Sequence, residues 1–165
     1  MSTIGGGGNI VLRIERVSFD YETDGAVVPV LADASLHVER GTVHALIGAS
    51  GCGKSTLLRL AAGLLRPTAG SVLMDGAPVD PGHRCIGFLP QNYGLLPWKT
   101  VRENILLGAE IKGRACESLA DALEELAAEL GLTDLLRRYP RELSGGQQQR
   151  VGLARVFLLA PDLLL

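Results

Sequence analysis

Apolar and polar residues alternate through much of the segment from residue 10 to residue 38, which is the pattern of half-buried β-strands. The first stretch runs from Ile10 to Phe19, and a break in its period predicts a strand with a bulge. A second strand is predicted over residues 34–38, before a Glu-Arg-Gly turn. Residues 42–47 form a mostly apolar run that leads into a glycine-rich loop. This run predicts a strand buried on both faces.

Helical spacing begins beyond that loop and dominates the second half of the chain. Leucines and alanines predict a helix over residues 55–64, and strand patterns return at residues 71–74 and 84–89. Thr100 and Glu103 have the spacing of a capping box, and Gly131 stands where a left-handed C-cap is expected. The later helices are predicted over residues 100–107, 115–130, 133–138 and 147–159.

These elements predict an α/β fold. We expect an α/β core, with a mostly parallel sheet and an antiparallel β subdomain, from residues 10–91 and 160–165. Residues 92–159 are expected to form a helical subdomain, and the glycine-rich residues 1–9 a flexible N-terminus. Leu163–Leu165 should begin a strand that pairs beside residues 42–47, in a sheet that is incomplete.

Composition narrows the function classes. The chain has 165 residues, of which 47% are hydrophobic and 21% charged, and its net charge is -2. This balance is globular, and it argues against a nucleic-acid partner because a basic footprint is missing. The start of the chain resembles no signal peptide, and no apolar run is long enough to span a bilayer. The spacing of the three cysteines, Cys52, Cys85 and Cys116, fits a reducing cytosol.

The glycine-rich loop carries the first chemical motif, which follows the phosphate-binding pattern G-x-x-x-x-G-K-S/T. With a strand before it and a helix after it, this motif predicts that the α/β core is a P-loop NTPase core. Its glycines let successive backbone N–H groups point at a phosphate, and the helix that follows adds its positive end. Lys54 is expected to reach the β- and γ-phosphates of a nucleotide, and the Ser55 hydroxyl to hold Mg²⁺. A simple strand-to-helix turn is the alternative interpretation. The nine residues of the motif are Gly48, Ala49, Ser50, Gly51, Cys52, Gly53, Lys54, Ser55 and Thr56.

Cys52 occupies a variable position of this loop. The positive end of a helix lowers the pKa of a nearby thiol, so a redox switch is conceivable there. A small residue that fits beside the phosphates is the favoured interpretation.

A second glycine motif, Leu-Ser-Gly-Gly-Gln, opens the last helix. Ser144, Gly145, Gly146 and Gln147 lie at its N-terminus, where free N–H groups and a hydroxyl make an anion cradle. A serine-capped helix with glycines for close packing is the alternative. Lys54 and Ser144 are ninety residues apart, so the two cradles need not converge on one phosphate within one chain.

The two motifs in this order resemble those of ATP-binding cassette (ABC) proteins, and the resemblance extends from about Val11 to Leu165. It implies ATP and Mg²⁺ as ligands and ATP hydrolysis. It also implies a head-to-tail dimer in which the Leu-Ser-Gly-Gly-Gln motif of one subunit, called the signature motif in this family, faces the phosphate loop of the other. It also implies that Gln91 contacts Mg²⁺ and the attacking water, and that Tyr21 stacks on adenine, with Phe19 as a rival. The Walker B carboxylates, including the general base, would follow Leu165, so we expect the 165 residues alone to be inactive.

Within the family, the Leu-Leu-Pro-Trp run that ends at Trp98 is similar to importer ATPases of the nitrate, sulfonate and taurine type. The resemblance implies a membrane-embedded permease as partner, an indirect periplasmic or extracellular solute-binding protein, and a cytoplasmic place on the inner face of the membrane. The apolar loop itself suits a helix of a partner protein. The alternative interpretation is that the apolar residues of this loop form a small hydrophobic cluster under the helical subdomain. The alternative function is that of a non-transport ABC ATPase, which acts in DNA repair or on the ribosome.

Overall fold

The computed structural model describes residues 10–23, 25–80, 82, 84–113 and 119–165. They belong to two compact units, one that ends at Arg84 and one that runs from Cys85 to Leu165. The predicted flexible N-terminus at residues 1–9, the third cysteine, Cys116, and the start of the helix predicted from residue 115 lie outside the described residues.

An antiparallel sheet forms much of the first unit. Strand β1 lies in its middle, and the strand order is β2-β1-β3-β4. Leu12, Ile14 and Val17 of β1 are at most 2% exposed, so the alternating pattern correctly predicted the strand that supplies this core. The strands are β1 (Ile10–Thr23), β2 (Ala26–Glu39), β3 (Ala69–Met74) and β4 (Ala77–Pro78).

The bulge predicted in β1 is present. The pairing of β1 with β2 shifts between residues 14 and 17, where Arg16 has a φ of 46°, and again between residues 17 and 19, where Asp33 of β2 has a φ of 51°. The Arg16 amide donates to Ser35 Oγ at 2.9 Å, and the Asp33 amide donates to Ser18 Oγ at 3.2 Å. Serine hydroxyls therefore replace the ladder partners that the bulge removes.

Among the described residues, one α-helix belongs to the first unit and three to the second. Helix α1 (Lys54–Ala61) follows the phosphate loop. The second unit is built from α2 (Val101–Ile111), α3 (Ala120–Glu129) and α4 (Gly145–Phe157), with short 3-10 helices at Thr133–Leu135 and Pro140–Glu142. Its core is a cluster of buried side chains on these helices and the turns between them, which includes Val101, Leu123, Leu132, Val151 and Ala154.

Local signals at the ends of these helices were predicted correctly. The Thr100 amide donates to the Glu103 carboxylate at 2.7 Å, and the Glu103 amide donates to Thr100 Oγ1 at 3.3 Å, which completes the capping box. Gly131 follows α3 with a φ of 62°, as expected of a left-handed residue after a helix. Caps depend on neighbours three or four residues away, so the sequence contains all the information they need.

The prediction of a buried strand over residues 42–47 is wrong. These residues belong to no strand, and the side chains of Val43 and Ile47 are 99% and 93% exposed. A parallel strand is buried only when strands pair on its two edges and other layers cover its faces. Among the described residues no strand pairs with this run, so its apolar side chains stay in solvent.

The predicted partner of the last strand is also wrong. Strand β6 (Leu163–Leu164) pairs in parallel with β5 (Ile86–Gly87), rather than beside residues 42–47. The Leu165 amide donates to the Gly87 carbonyl at 2.8 Å, and the Leu89 amide donates to the Leu165 carbonyl at 2.8 Å. This is the only parallel pair in the part of the chain that the structure describes, and β5 is shorter than the strand predicted over residues 84–89.

We expect Ile47→Lys to change the free energy of unfolding by less than about 0.5 kcal/mol, because this side chain is in solvent. The same change should reduce self-association, since it removes a large exposed apolar group. The matched control is Ile14→Lys, at a side chain that is 2% exposed. A buried unpaired charge there should cost at least about 4 kcal/mol. Urea unfolding and light scattering measure both effects, and an equal loss at the two positions would contradict the exposure of residues 42–47.

Candidate functional site

The phosphate loop lies on the surface of the first unit. Residues 48–52 are exposed, whereas Gly53 and Thr56 are buried at the start of α1. The Cys52 amide donates to the Ala49 carbonyl at 3.4 Å, and the Leu57 amide donates to the Gly53 carbonyl at 2.8 Å. The first bond curls the loop, and the second begins the helix whose positive end faces it.

The ammonium group of Lys54 lies across this curl. Lys54 Nζ donates to the carbonyls of Gly48 at 2.9 Å and Ala49 at 2.6 Å, and it lies 3.5 Å from Cys52 Sγ. Lys54 therefore connects the two ends of the loop, and its own ammonium group is the cation at the centre of the loop. An anion that enters the loop meets a charged donor already in place.

Gly53 joins the loop to the sheet. Its φ of 92° is a left-handed conformation, and a Cβ at this position would lie 2.8 Å from Leu31 Cδ2 of β2. A side chain is excluded by both the backbone and the neighbouring strand. Glycine at this place lets the loop lie directly on β2.

Tyr21 lies near the start of α1. A hydrogen bond to the Thr56 hydroxyl lowers the pKa of the Tyr21 phenol from its ordinary value of 10.0; burial opposes this shift, and Arg59 adds to it. The ring meets Phe19 edge-on, with centroids 4.8 Å apart at 86°. Phe19 itself is 8% exposed and belongs to the core, so Tyr21 is the more accessible of the two rings predicted to stack on adenine.

The signature motif lies at the start of α4 in the second unit. Ser144 caps the helix: its Oγ accepts from the Gln147 amide at 3.4 Å, and the Ser144 amide donates to Gln147 Oε1 at 2.8 Å. Gly145 and Gly146 are exposed, and a Cβ on either would lie more than 4 Å from every atom of the described residues outside its own helix turn. The capping interpretation therefore accounts for the serine and the glutamine, but close packing within the chain does not account for the glycines.

Gln91 lies in an exposed turn that follows β5 in the second unit, and Ser55 is exposed in the first unit. These are the two residues predicted to hold Mg²⁺. A hydroxyl and an amide oxygen are suitable ligands for this hard cation. Across the described residues, no three histidine, cysteine or acidic side chains come together as a metal-binding group.

Two residues that the sequence analysis did not single out organise the second unit. Asn104, on α2, is fully buried, and Arg155, on α4, donates to it. In the sequence, the signal that could have identified them was a single polar residue within the apolar run of each helix. That signal is weak, because a sequence does not show which buried groups meet.

No helix among the described residues is both long and apolar enough to cross a membrane. A family model described as ABC transporter matches residues 31–165. The chain belongs to the ABC transporter family. Sequence and structural relatives agree on this family and differ in what their names say about the transported solute.

The ABC relatives include import proteins with different substrates in their names. The methionine import ATP-binding protein MetN of Cereibacter sphaeroides is 45% identical, over 93% of this chain and 46% of the relative. The nitrate import ATP-binding protein NrtC of Synechococcus elongatus is 41% identical, over 95% of this chain and 24% of the relative. The chain spans about half the length of the curated relatives it matches first. Similarity to the nitrate type is therefore real but does not single that type out.

Solved ABC structures show the same fold. The dimeric ABC transporter cassette MJ0796 superposes with a TM-score of 0.82 at 29% identity, over 93% of this chain and 72% of that one. A chain described as the ATP binding subunit of an ABC transporter gives a TM-score of 0.81 at 30% identity, over 93% of this chain and 64% of its own. The predicted P-loop NTPase fold class is confirmed.

Proposed function

We propose that this chain is the ATP-binding part of an ABC importer and that it binds MgATP through residues 48–56. The single observation that carries the proposal is the curled loop with Lys54 Nζ at its centre, within 2.9 Å of the Gly48 carbonyl and 2.6 Å of the Ala49 carbonyl. The position of this cation suits the β- and γ-phosphates of a nucleotide. Ser55 would hold Mg²⁺ and Tyr21 would stack on the adenine.

The signature motif supports a head-to-tail dimer. The first turn of α4 carries two glycines, although each costs up to about 1 kcal/mol relative to alanine. Among the described residues outside this helix turn, no atom lies within 4 Å of a Cβ built on Gly145 or Gly146, so their small size favours the close approach of something outside the chain. We propose that this is the triphosphate held by the loop of a second subunit. A solved relative is described as a dimer in a post-hydrolysis state bound to ADP and Pi.

Hydrolysis requires residues beyond the phosphate loop. We propose that Gln91 orients the attacking water and contacts Mg²⁺, while Lys54 stabilises the charge that develops on the transferred phosphate. The 165 residues contain no adjacent Asp-Glu pair that could supply the family's general base. The chain alone is therefore expected to bind ATP without turning it over.

Competition among nucleotides tests the proposal. We expect MgATP to bind the chain saturably, ADP to compete and AMP to be at least about a hundredfold weaker, because loop, lysine and helix end act on the β- and γ-phosphates. Isothermal titration calorimetry measures all three affinities. Equal binding of AMP, or no saturable binding of MgATP, would contradict the proposal.

The loop that ends at Trp98 supports a permease partner. Trp98 is 70% exposed, whereas Leu95 is packed against the helical core, so the loop is anchored at one end and presents an aromatic ring at the other. Such a ring suits a pocket or groove of a partner helix. We propose a permease on the inner face of the cell membrane, served indirectly by a solute-binding protein. A solute of the nitrate, sulfonate or taurine type is our proposed cargo.

We expect Trp98→Glu to abolish copurification with a coexpressed permease of this importer class, because a charge replaces the exposed aromatic contact. MgATP affinity should stay within about twofold, since Trp98 lies outside the phosphate loop. Glu125→Gln is the control, because it changes the charge at an exposed position of α3, away from this loop. Retained copurification of Trp98→Glu would contradict the docking role.

A further inference from the structure

A fully buried asparagine on α2 holds the loop that follows Gln91. The Asn104 amide nitrogen donates to the carbonyls of Leu96 at 3.0 Å and Lys99 at 2.9 Å, and its Oδ1 accepts from the Leu96 amide at 2.8 Å. All three bonds end on loop backbone rather than on side chains. One side chain therefore fixes the path of the chain on both sides of Trp98.

A half-buried arginine on α4 completes the arrangement. Arg155 Nη2 donates to Asn104 Oδ1 at 2.8 Å, and Arg155 Nε donates to the Asn104 carbonyl at 2.9 Å. Its remaining Nη1 donates to the Gly94 carbonyl at 2.8 Å. The guanidinium thus ties the signature helix to α2 and to the loop at once. Charged donors to carbonyls make such ties strong.

The loop is held in an unusual conformation at the same place. Tyr93 and Gly94 both have left-handed backbones, with φ values of 60° and 56°. A non-glycine residue stays in this region only when its surroundings impose it. Contact with α4 contributes, because a Cβ on Gly152 would lie 3.5 Å from Tyr93 Cβ and 3.6 Å from the Tyr93 carbonyl oxygen.

We propose that Asn104 and Arg155 are positioning residues that lock residues 94–100 to the signature helix. Arg155 lies eleven residues beyond Ser144 on α4, about 16 Å along one rigid helix. When the signature motif is displaced, the loop of residues 94–100 therefore moves with α4 and carries Trp98 with it. A flexible loop would not follow the helix in this way. This regulation rests on the proposed function, since ATP is what would displace the signature.

The lock can be tested first without any substitution. The Leu96 amide donates to the Asn104 side chain and lies in a loop outside every helix and strand. We expect its hydrogen exchange to be protected as strongly as the amides in the middle of α2. Exchange at the rate of an open loop would overturn the lock.

Variants then separate the lock from general stability. Arg155→Lys keeps the charge but leaves acceptors unpaired, so the protection of the Leu96 amide should fall about tenfold. Trp98, the only tryptophan in the sequence, should show a lower fluorescence anisotropy. Arg150→Lys is the matched control on α4, because Arg150 Nη1 donates at 2.7 Å to the Leu130 carbonyl and not to the loop. Similar effects at both positions would overturn a specific role for Arg155.

ATP supplies the functional readout. In the unchanged chain and in Arg150→Lys, MgATP should change the Trp98 emission, whereas Arg155→Lys should abolish that change and keep the ATP affinity. A Trp98 response that survives in Arg155→Lys would overturn transmission through the lock. Failure of the unchanged chain to bind ATP would instead overturn the proposed function and the transmission of movement to Trp98. The hydrogen exchange of the Leu96 amide would still test whether Asn104 and Arg155 hold the loop.

Discussion

Lys54→Ala is expected to weaken MgATP binding by at least about a hundredfold, because it removes charge-assisted hydrogen bonds worth roughly 3 kcal/mol in total. The fold should tolerate the change. The acceptors that Lys54 Nζ leaves are the carbonyls of Gly48 and Ala49, and both residues are exposed, so water replaces the lysine. Calorimetry of the binding and thermal unfolding of the free chain measure the two effects.

Lys99→Ala is the matched control for this experiment. Lys99 Nζ pairs with the Glu110 carboxylate at 3.2 Å on the surface of the second unit, so its loss should change stability by less than about 1 kcal/mol. Nucleotide affinity should be unchanged. An equal loss of affinity in both variants would show that general charge, rather than the phosphate loop, attracts the nucleotide.

Gly146→Leu should abolish ATP-driven dimerisation while leaving the monomer at least as stable as before. A Cβ at Gly146 meets no atom within 4 Å, and leucine in a helix is favoured over glycine by roughly 0.5–1 kcal/mol. The added side chain would occupy the space through which the second subunit's triphosphate approaches. Sedimentation velocity with and without MgATP measures dimerisation, and urea unfolding measures stability.

Glu125→Leu controls for the added apolar surface, because Glu125 is exposed on α3. This variant should dimerise with MgATP as the unchanged protein does. Monomer affinity for ATP should remain within about twofold in Gly146→Leu, since the phosphate loop lies in the other unit. Parallel loss of affinity and dimerisation would place the signature in its own subunit's nucleotide site and contradict the proposed dimer.

The motifs and local caps could be predicted from the sequence because they are short-range. The phosphate loop followed by the Leu-Ser-Gly-Gly-Gln motif identified the family, and the family model and the structural relatives confirm it. The bulge in β1 and the capping box at Thr100 followed from neighbours within a few residues. The roles of the individual site residues stay predictions, which the experiments above address.

The tertiary structure alone decided which apolar runs are buried and which polar groups meet. Residues 42–47 have the composition of a core strand, yet Val43 is 99% exposed, because burial depends on strands that pair from elsewhere in the chain. For the same reason β6 pairs with Ile86 and Gly87 rather than with the predicted partner. Asn104 and Arg155 are fifty-one residues apart, and only the packing of α2 against α4 makes them one network. A local pattern describes a residue's preference, whereas long-range contacts determine what satisfies it.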